Sequence, residues 1–157
     1  MVKEIKGDLL EQKRGILCHQ TNYEGIMGGG IALAIWNKLL TDQNRKNYTD
    51  FCRKCGKTAL GYAQFLFLKE DLIVANCFSQ NGFDEPDTDG NITNYDAMRE
   101  CFVNVLDFAL QQELPLVFIP YGMGCGIAGG NWDKVRSIIE DVFGESDVTA
   151  TIVQLEV

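Results

Sequence analysis

Two glycine clusters carry the strongest chemical signal in this chain. One is Gly25-Ile26-Met27-Gly28-Gly29-Gly30 and the other is Gly122-Met123-Gly124-Cys125-Gly126-Ile127-Ala128-Gly129-Gly130. Glycine loses more conformational freedom on folding than any other residue, so clusters of it need a reason. At a strand-to-helix junction the usual reason is an anion, which bare backbone N–H groups approach closely and a helix N-terminus attracts. In an open α/β sheet both loops would lie outside the carboxyl ends of strands, where ligands bind. Two such loops facing each other could hold a diphosphate between them. The plain alternative is a pair of tight turns, which the repetition of the pattern disfavours.

The common phosphate motifs do not account for these loops. Gly25 and Gly30 have Walker spacing, but Ile31 stands where the lysine belongs. Gly124 to Gly129 reads GxGxxG, yet too little chain follows it for a dinucleotide-binding half. His19, the sole histidine, stands at the end of a predicted strand directly before the first loop. A near-neutral imidazole there would protonate a leaving oxygen or activate water, and a buried, hydrogen-bonded core histidine is the competing reading. Asn22 and Asn76 at strand ends would orient a ligand or cap their strands. Gln80, Asp84 and Asp87 would line the same mouth or be solvated loop residues. Cys125 invites a thiol nucleophile, but a cysteine-phosphatase loop would need arginine where Asn131 stands. Cys52-x-x-Cys55 lacks a second ligand pair, so two structural thiols on a helix are expected and no metal. Asp87-x-Asp89-x-Asn91 begins like a calcium loop and fails at Ile92 and Met98.

These residues need a scaffold. Val2–Lys6, Gly15–His19, Tyr62–Leu68, Leu72–Phe78, Leu116–Pro120 and Val148–Leu155 read as strands. Helical spacing places Ile31, Ala34, Ile35 and Leu39 on one face after the first glycine cluster. A polar, basic helix is expected over Asn44 to Cys55. A further helix carries Met98, Phe102, Val105, Leu106 and Ala109, with Thr93 and Asp96 as an expected capping box. Asn131 is expected to cap a last helix with Trp132, Val135, Ile138, Ile139 and Val142 facing inward. Strands alternating with helices mean an α/β domain.

The chain has 157 residues, 46% hydrophobic and 23% charged, which predicts one globular domain over 1–157. With 22 acidic against 14 basic side chains its net charge is -8, a balance that argues against a nucleic-acid binder. The basic run Lys38, Arg45, Lys46, Arg53, Lys54 and Lys57 reads as a solvated helix face. Met1 to Gly15 has no signal-peptide core, and no apolar run approaches the roughly 20 residues that span a bilayer. Scattered free thiols point to a reducing, cytoplasmic setting.

Gly7-Asp8-Leu9, Cys18-His19-Gln20-Thr21-Asn22, Met27-Gly28-Gly29-Gly30-Ile31-Ala32 and Tyr121-Gly122-Met123-Gly124-Cys125-Gly126 occur in that order before the Trp132 helix. Together they resemble a macro domain, in a likeness that runs from Val2 to the last strand. Within that family the chain looks closest to the ADP-ribose-1''-phosphate phosphatase and terminal ADP-ribose glycohydrolase branch. The resemblance implies a three-layer sandwich, with a mixed, mostly parallel twisted sheet and helices on both faces. It also implies ADP-ribose or a derivative as ligand, free or carried on a protein; no cofactor and no membrane or nucleic-acid partner is expected. Asp8 would meet the adenine amino group and Leu9 the backbone contact beside it. Gly28, Gly29, Gly30 and Ile31 would surround the distal ribose and phosphate, with Asn22 and Gln80 nearby. Gly122, Met123, Gly124, Cys125, Gly126 and Ile127 would form the diphosphate loop. Glycohydrolases of this branch use a lysine after the fourth strand, where this chain reads Asn76-Cys77-Phe78-Ser79-Gln80. Their aspartate falls at Ala128. The expectation is therefore a hydrolase that removes a phosphate or acyl group from the distal ribose, with His19 and Asn76 as its catalytic pair. The alternatives are an ADP-ribose-binding module without catalysis and an ADP-ribosyl-protein glycohydrolase.

Overall fold

Six strands and four α-helices follow from the alternation of apolar runs and turns in a computed structural model that describes residues 1–82 and 92–155. The strands are β1 (Val2–Lys6), β2 (Gly15–Thr21), β3 (Ala63–Lys69), β4 (Leu72–Phe78), β5 (Leu116–Pro120) and β6 (Thr149–Gln154). The helices are α1 (Gly30–Lys38), α2 (Asp42–Cys55), α3 (Tyr95–Gln111) and α4 (Trp132–Phe143). The strand order is β1-β6-β5-β2-β4-β3. All neighbours are parallel except the β3–β4 hairpin, so the sheet is mixed and mostly parallel.

Alternation along the strands builds a layer on each face of the sheet. Ile16 and Cys18 of β2 and Ile73, Ala75 and Cys77 of β4 turn to one side, beneath Met98 and Phe102 of α3 and Val135 and Ile139 of α4. Val74 and Phe78 of β4 turn to the other, where they meet Ile35 of α1 and Tyr48 and Cys52 of α2. The fold is thus an α/β sandwich with helices on both faces, as the sequence pattern leads one to expect.

The differences from that pattern lie at element ends. β2 runs on through Gln20 and Thr21 because they pair with Cys77 and Phe78 of β4, a long-range partner that local periodicity does not show. α2 begins two residues before Asn44, where Thr41 and Asn44 cap each other reciprocally. The expected capping box at Thr93 and Asp96 is not formed. Asn94 accepts the Ala97 N–H and caps α3, while Thr93 sits in an isolated bridge with Gln80. Asn131 caps α4 as expected, accepting from the Lys134 N–H. Of the basic stretch, Lys46, Arg53 and Lys54 lie on the solvated face of α2, with Arg45 paired to Asp42, and Lys46 and Arg53 both paired to Asp50, whereas Lys38 belongs to α1.

Candidate functional site

The parallel strands send their carboxyl ends to one edge of the sheet, and the loops that follow them enclose a cavity of about 890 Å³. That is ample for a ligand of nucleotide-sugar size. Because β2 hydrogen-bonds to β5, the segments after these two strands emerge side by side. These segments hold the two glycine clusters. The end of β4 adds Gln80 to the same wall, and the ends of β1 and β6 add Asp8, Leu9 and Leu155.

The first loop is built to present α1. Asn22 bends it by donating Nδ2 to the Ile26 carbonyl at 2.7 Å and accepting the Glu24 N–H at 2.9 Å. Tyr48 of α2, fully buried, donates its hydroxyl to the Asn22 carbonyl at 2.9 Å and anchors the turn from below. Gly29 then enters α1 in an extended conformation with no side-chain cap. The first-turn N–H groups of α1 are consequently left to whatever occupies the cavity.

The second loop shows an alternation that explains its glycines. Carbonyls at Pro120, Gly122, Gly124 and Gly126 accept the N–H groups of Met123, Cys125, Gly130 and Gly129 at 2.9–3.1 Å. The N–H groups of Gly122, Gly124, Gly126, Ile127 and Ala128 have no acceptor among the described residues. Gly124 permits this fold-back. Its φ is +75°, and a Cβ there would lie 2.9 Å from Gln20 Oε1 and 3.0 Å from Met98 Cε. The two loops approach each other over the cavity, since a methyl on Gly29 would stand 3.8 Å from Ile127 Cδ1. Tyr121 lines the wall and leans on Trp132, the first residue of α4, with ring centroids 4.7 Å apart.

Of the residues singled out in the sequence, Asp8, Leu9, Asn22, Gly28, Gly29, Gly30, Ile31, Gln80, Gly122, Met123, Gly124, Gly126 and Ile127 line this one cavity. Asp8 is also a cap: its Oδ1 accepts the Leu10 N–H at 2.9 Å at the start of a 3-10 turn over Leu9–Glu11. That bond fixes the carboxylate and leaves its second oxygen available.

Three expected residues lie elsewhere. Cys125 is not on the wall; its thiol packs against the α3/α4 core and donates to the Met123 carbonyl. Its backbone N–H is taken by Gly122, and burial raises the thiol pKa, the opposite of what a nucleophile needs. His19 and Asn76 are fully buried and absent from the wall. Asn76 gives its amide N–H to Gln64, so its carbonyl faces His19 and accepts from Nε2 at 2.6 Å. His19, Asn76 and Gln64 occupy one register across β2, β4 and β3, a polar rung inside the sheet. Burial lowers the His19 pKa to about 4, against the raising influence of the Asn76 bond, and keeps the ring neutral. His19 Nδ1 and the hydroxyl of Thr21, two residues on, are buried with no partner among the described residues. Thr21 does line the cavity. Asp84, Asp87 and the calcium-like run Asp87, Asp89, Asn91 lie outside the described residues.

Sequence reasoning missed Gln20, Thr21, Lys38 and Leu155 on the wall. Gln20 and Thr21 directly continue β2, which was the available signal. Lys38 is placed by the length of α1, which no motif marks. Among the described wall residues Asp8 is the one carboxylate and Lys38 the one cation. No three His, Cys, Asp or Glu side chains come together as a metal-binding group among the described residues. No helix there is long and apolar enough to cross a membrane.

No protein-family model matches the sequence, and no curated protein matches it either. Solved structures do. A Bacteroides thetaiotaomicron protein of unknown function is 28% identical, with 98% of each chain covered and a TM-score of 0.82. A macrodomain protein from Streptomyces coelicolor is 25% identical over 98% of each chain, with a TM-score of 0.78. Thermosipho africanus DarTG, solved in complex with ADP-ribose, is 14% identical over 97% of this chain and 41% of its own, with a TM-score of 0.75. The chain therefore has the macrodomain fold.

Proposed function

We propose that this macrodomain-fold chain binds ADP-ribose or an ADP-ribose derivative, free or carried on a protein, in the cavity between its two glycine loops. The observation that carries the reading is the set of backbone N–H groups without acceptors among the described residues on both sides of that cavity: Gly122, Gly124, Gly126 and Ile127 on one loop, the uncapped start of α1 on the other. A diphosphate between them is bound by dipoles at hydrogen-bond range, the kind of recognition open to a chain of net charge -8. The adenine lies at the Asp8 end, its amino group on the free carboxylate oxygen and Leu9 beside it. The distal ribose lies toward Asn22, Gly28 to Ile31 and Gln80. The ADP-ribose complex of the Thermosipho africanus protein supports this ligand.

A second reading adds hydrolysis of a phosphate or acyl group from the distal ribose. It is favoured by the buried Thr21 hydroxyl at the wall and by His19 Nδ1 two residues before it, both without a partner among the described residues. Two buried polar atoms of this kind are costly unless a water or ligand group meets them. In this reading bound water attacks the phosphorus or acyl carbon, the bond from that atom to the distal-ribose oxygen breaks, and the proton given up by the water ends on the leaving oxygen. The loop amides stabilise the developing charge, and neutral His19, held by Asn76, acts from below through that water. Ala128 argues against the glycohydrolase chemistry of the resembling branch.

Calorimetric titration with ADP-ribose tests the first reading; one-to-one binding is expected, and no heat overturns it. Incubation with ADP-ribose-1''-phosphate tests the second. Released phosphate establishes turnover, while binding with no release leaves a module without catalysis.

A further inference from the structure

A chain of three hydrogen bonds joins the ends of β2 and β4 to the second glycine loop. Ser79, fully buried just past β4, donates its hydroxyl to Gln20 Oε1 at 2.9 Å, with the Cys77 carbonyl at 3.3 Å as a second acceptor. Gln20 donates Nε2 to Thr93 Oγ1 at 3.2 Å. Thr93, 1% exposed, donates its hydroxyl to the Gly124 carbonyl at 2.6 Å. The direction of the chain is forced. A carbonyl can only accept, so Thr93 must give its proton to Gly124 and receive one from Gln20, which turns the Gln20 carbonyl toward Ser79.

The carbonyl at the end of this chain is the hub of the loop. Gly124 O also receives the Gly130 N–H at 2.9 Å, which closes the loop on itself. A Cβ on Gly124 would lie 2.9 Å from Gln20 Oε1 and 3.1 Å from Thr93 Oγ1, so the backbone rests directly on these side chains. The Ile92 N–H, next to Thr93, donates to the Ala128 carbonyl at 2.9 Å and pins the far side of the same loop. A glycine-rich loop left to itself would sample many conformations, and ordering it on binding would cost affinity. From this geometry we infer that Gln20, Ser79 and Thr93 are positioning residues that preset the loop, holding its carbonyls inward and its Gly126 and Ile127 amides toward an anion. The inference rests on the ADP-ribose reading for the identity of the ligand, not for the ordering of the loop.

Thr93→Val keeps the shape of the side chain and removes its donor; Thr93→Ser keeps the donor. Without ligand, the backbone amide resonances of Gly124, Gly126 and Ile127 are expected to shift or broaden in Thr93→Val and to return in Thr93→Ser. Affinity for ADP-ribose is expected to fall about threefold to tenfold in Thr93→Val, the worth of one hydrogen bond, and to recover in Thr93→Ser. Ser79→Ala, which cuts the chain at its far end, is expected to act in the same direction and serves if Thr93→Val does not fold. Unmoved loop amides in the valine variant, or an affinity loss that serine fails to rescue, would overturn the inference. If the wild-type chain gives no heat with ADP-ribose, the proposed function fails, and the ligand-free amide shifts still decide whether the three side chains order the loop.

Discussion

At the scale of single residues, burial decides what His19 does. A ring held neutral by desolvation, with a folded-state pKa of about 4 against 6.5 for an exposed histidine, binds fewer protons folded than unfolded between those values. Stability should therefore be complete above pH 6.5 and fall as the pH drops toward 4, by up to about 3 kcal/mol. Urea denaturation from pH 7 to pH 4.5 should show this loss, and His19→Gln should flatten it; equal slopes in both proteins would remove His19 as the cause. Gly124 and Gly126 make a second contrast. Gly124→Ala forces a side chain into left-handed backbone and against Gln20, so it should cost about 1–3 kcal/mol and abolish the ADP-ribose heat. Gly126 is not in the positive-φ region and has open space around it, so Gly126→Ala should leave stability within about 0.5 kcal/mol. Matching denaturation curves for the two variants would show that the loop is not held where it is drawn.

Element ends place these residues, and caps set the ends. α1 starts at an uncapped glycine facing the cavity, whereas α3 and α4 are closed by Asn94 and Asn131. Asn94→Ala should destabilise the protein by about 1 kcal/mol, the usual worth of a lost N-cap. Asp96→Ala, at the position the sequence pattern marks as a cap partner, should cost no more than about 0.5 kcal/mol through the helix dipole. Thermal unfolding of the two variants checks this, and a larger effect at Asp96 would restore the capping box. Thr93 is drawn out of that box because its hydroxyl has a buried carbonyl to satisfy on Gly124. A local motif has yielded to a tertiary contact.

For the molecule as a whole, charge sets how ligand binding should respond to salt. Acidic residues dominate the chain, and Lys38 is the one cation among the described wall residues, so attraction of the proposed diphosphate would be short-range and dipolar. Raising sodium chloride from 0.05 to 0.5 M screens the repulsive overall field and leaves amide hydrogen bonds in place. ADP-ribose affinity should stay level or rise by about twofold, measurable by calorimetry across the series. A steep decline with salt, as for a protein that collects phosphates with lysine and arginine, would contradict binding by backbone.

The sequence by itself determined the layers and the loops. Short apolar runs bounded by turns marked the six strands, helical spacing or a polar, basic run marked the four helices, and glycine clustering marked both walls of the cavity, because each of these signals is local and lies within a few residues. Only the tertiary structure decided which strands are neighbours. Pairing β2 with both β5 and β4 sets the two loops and Gln80 together, and it also seals His19 and Asn76 into the sheet, while the fold-back of the second loop packs Cys125 against the core. Whether a polar side chain meets ligand or core depends on which face of its strand or loop is covered by residues far away in sequence, and no pattern of nearby letters encodes that partner.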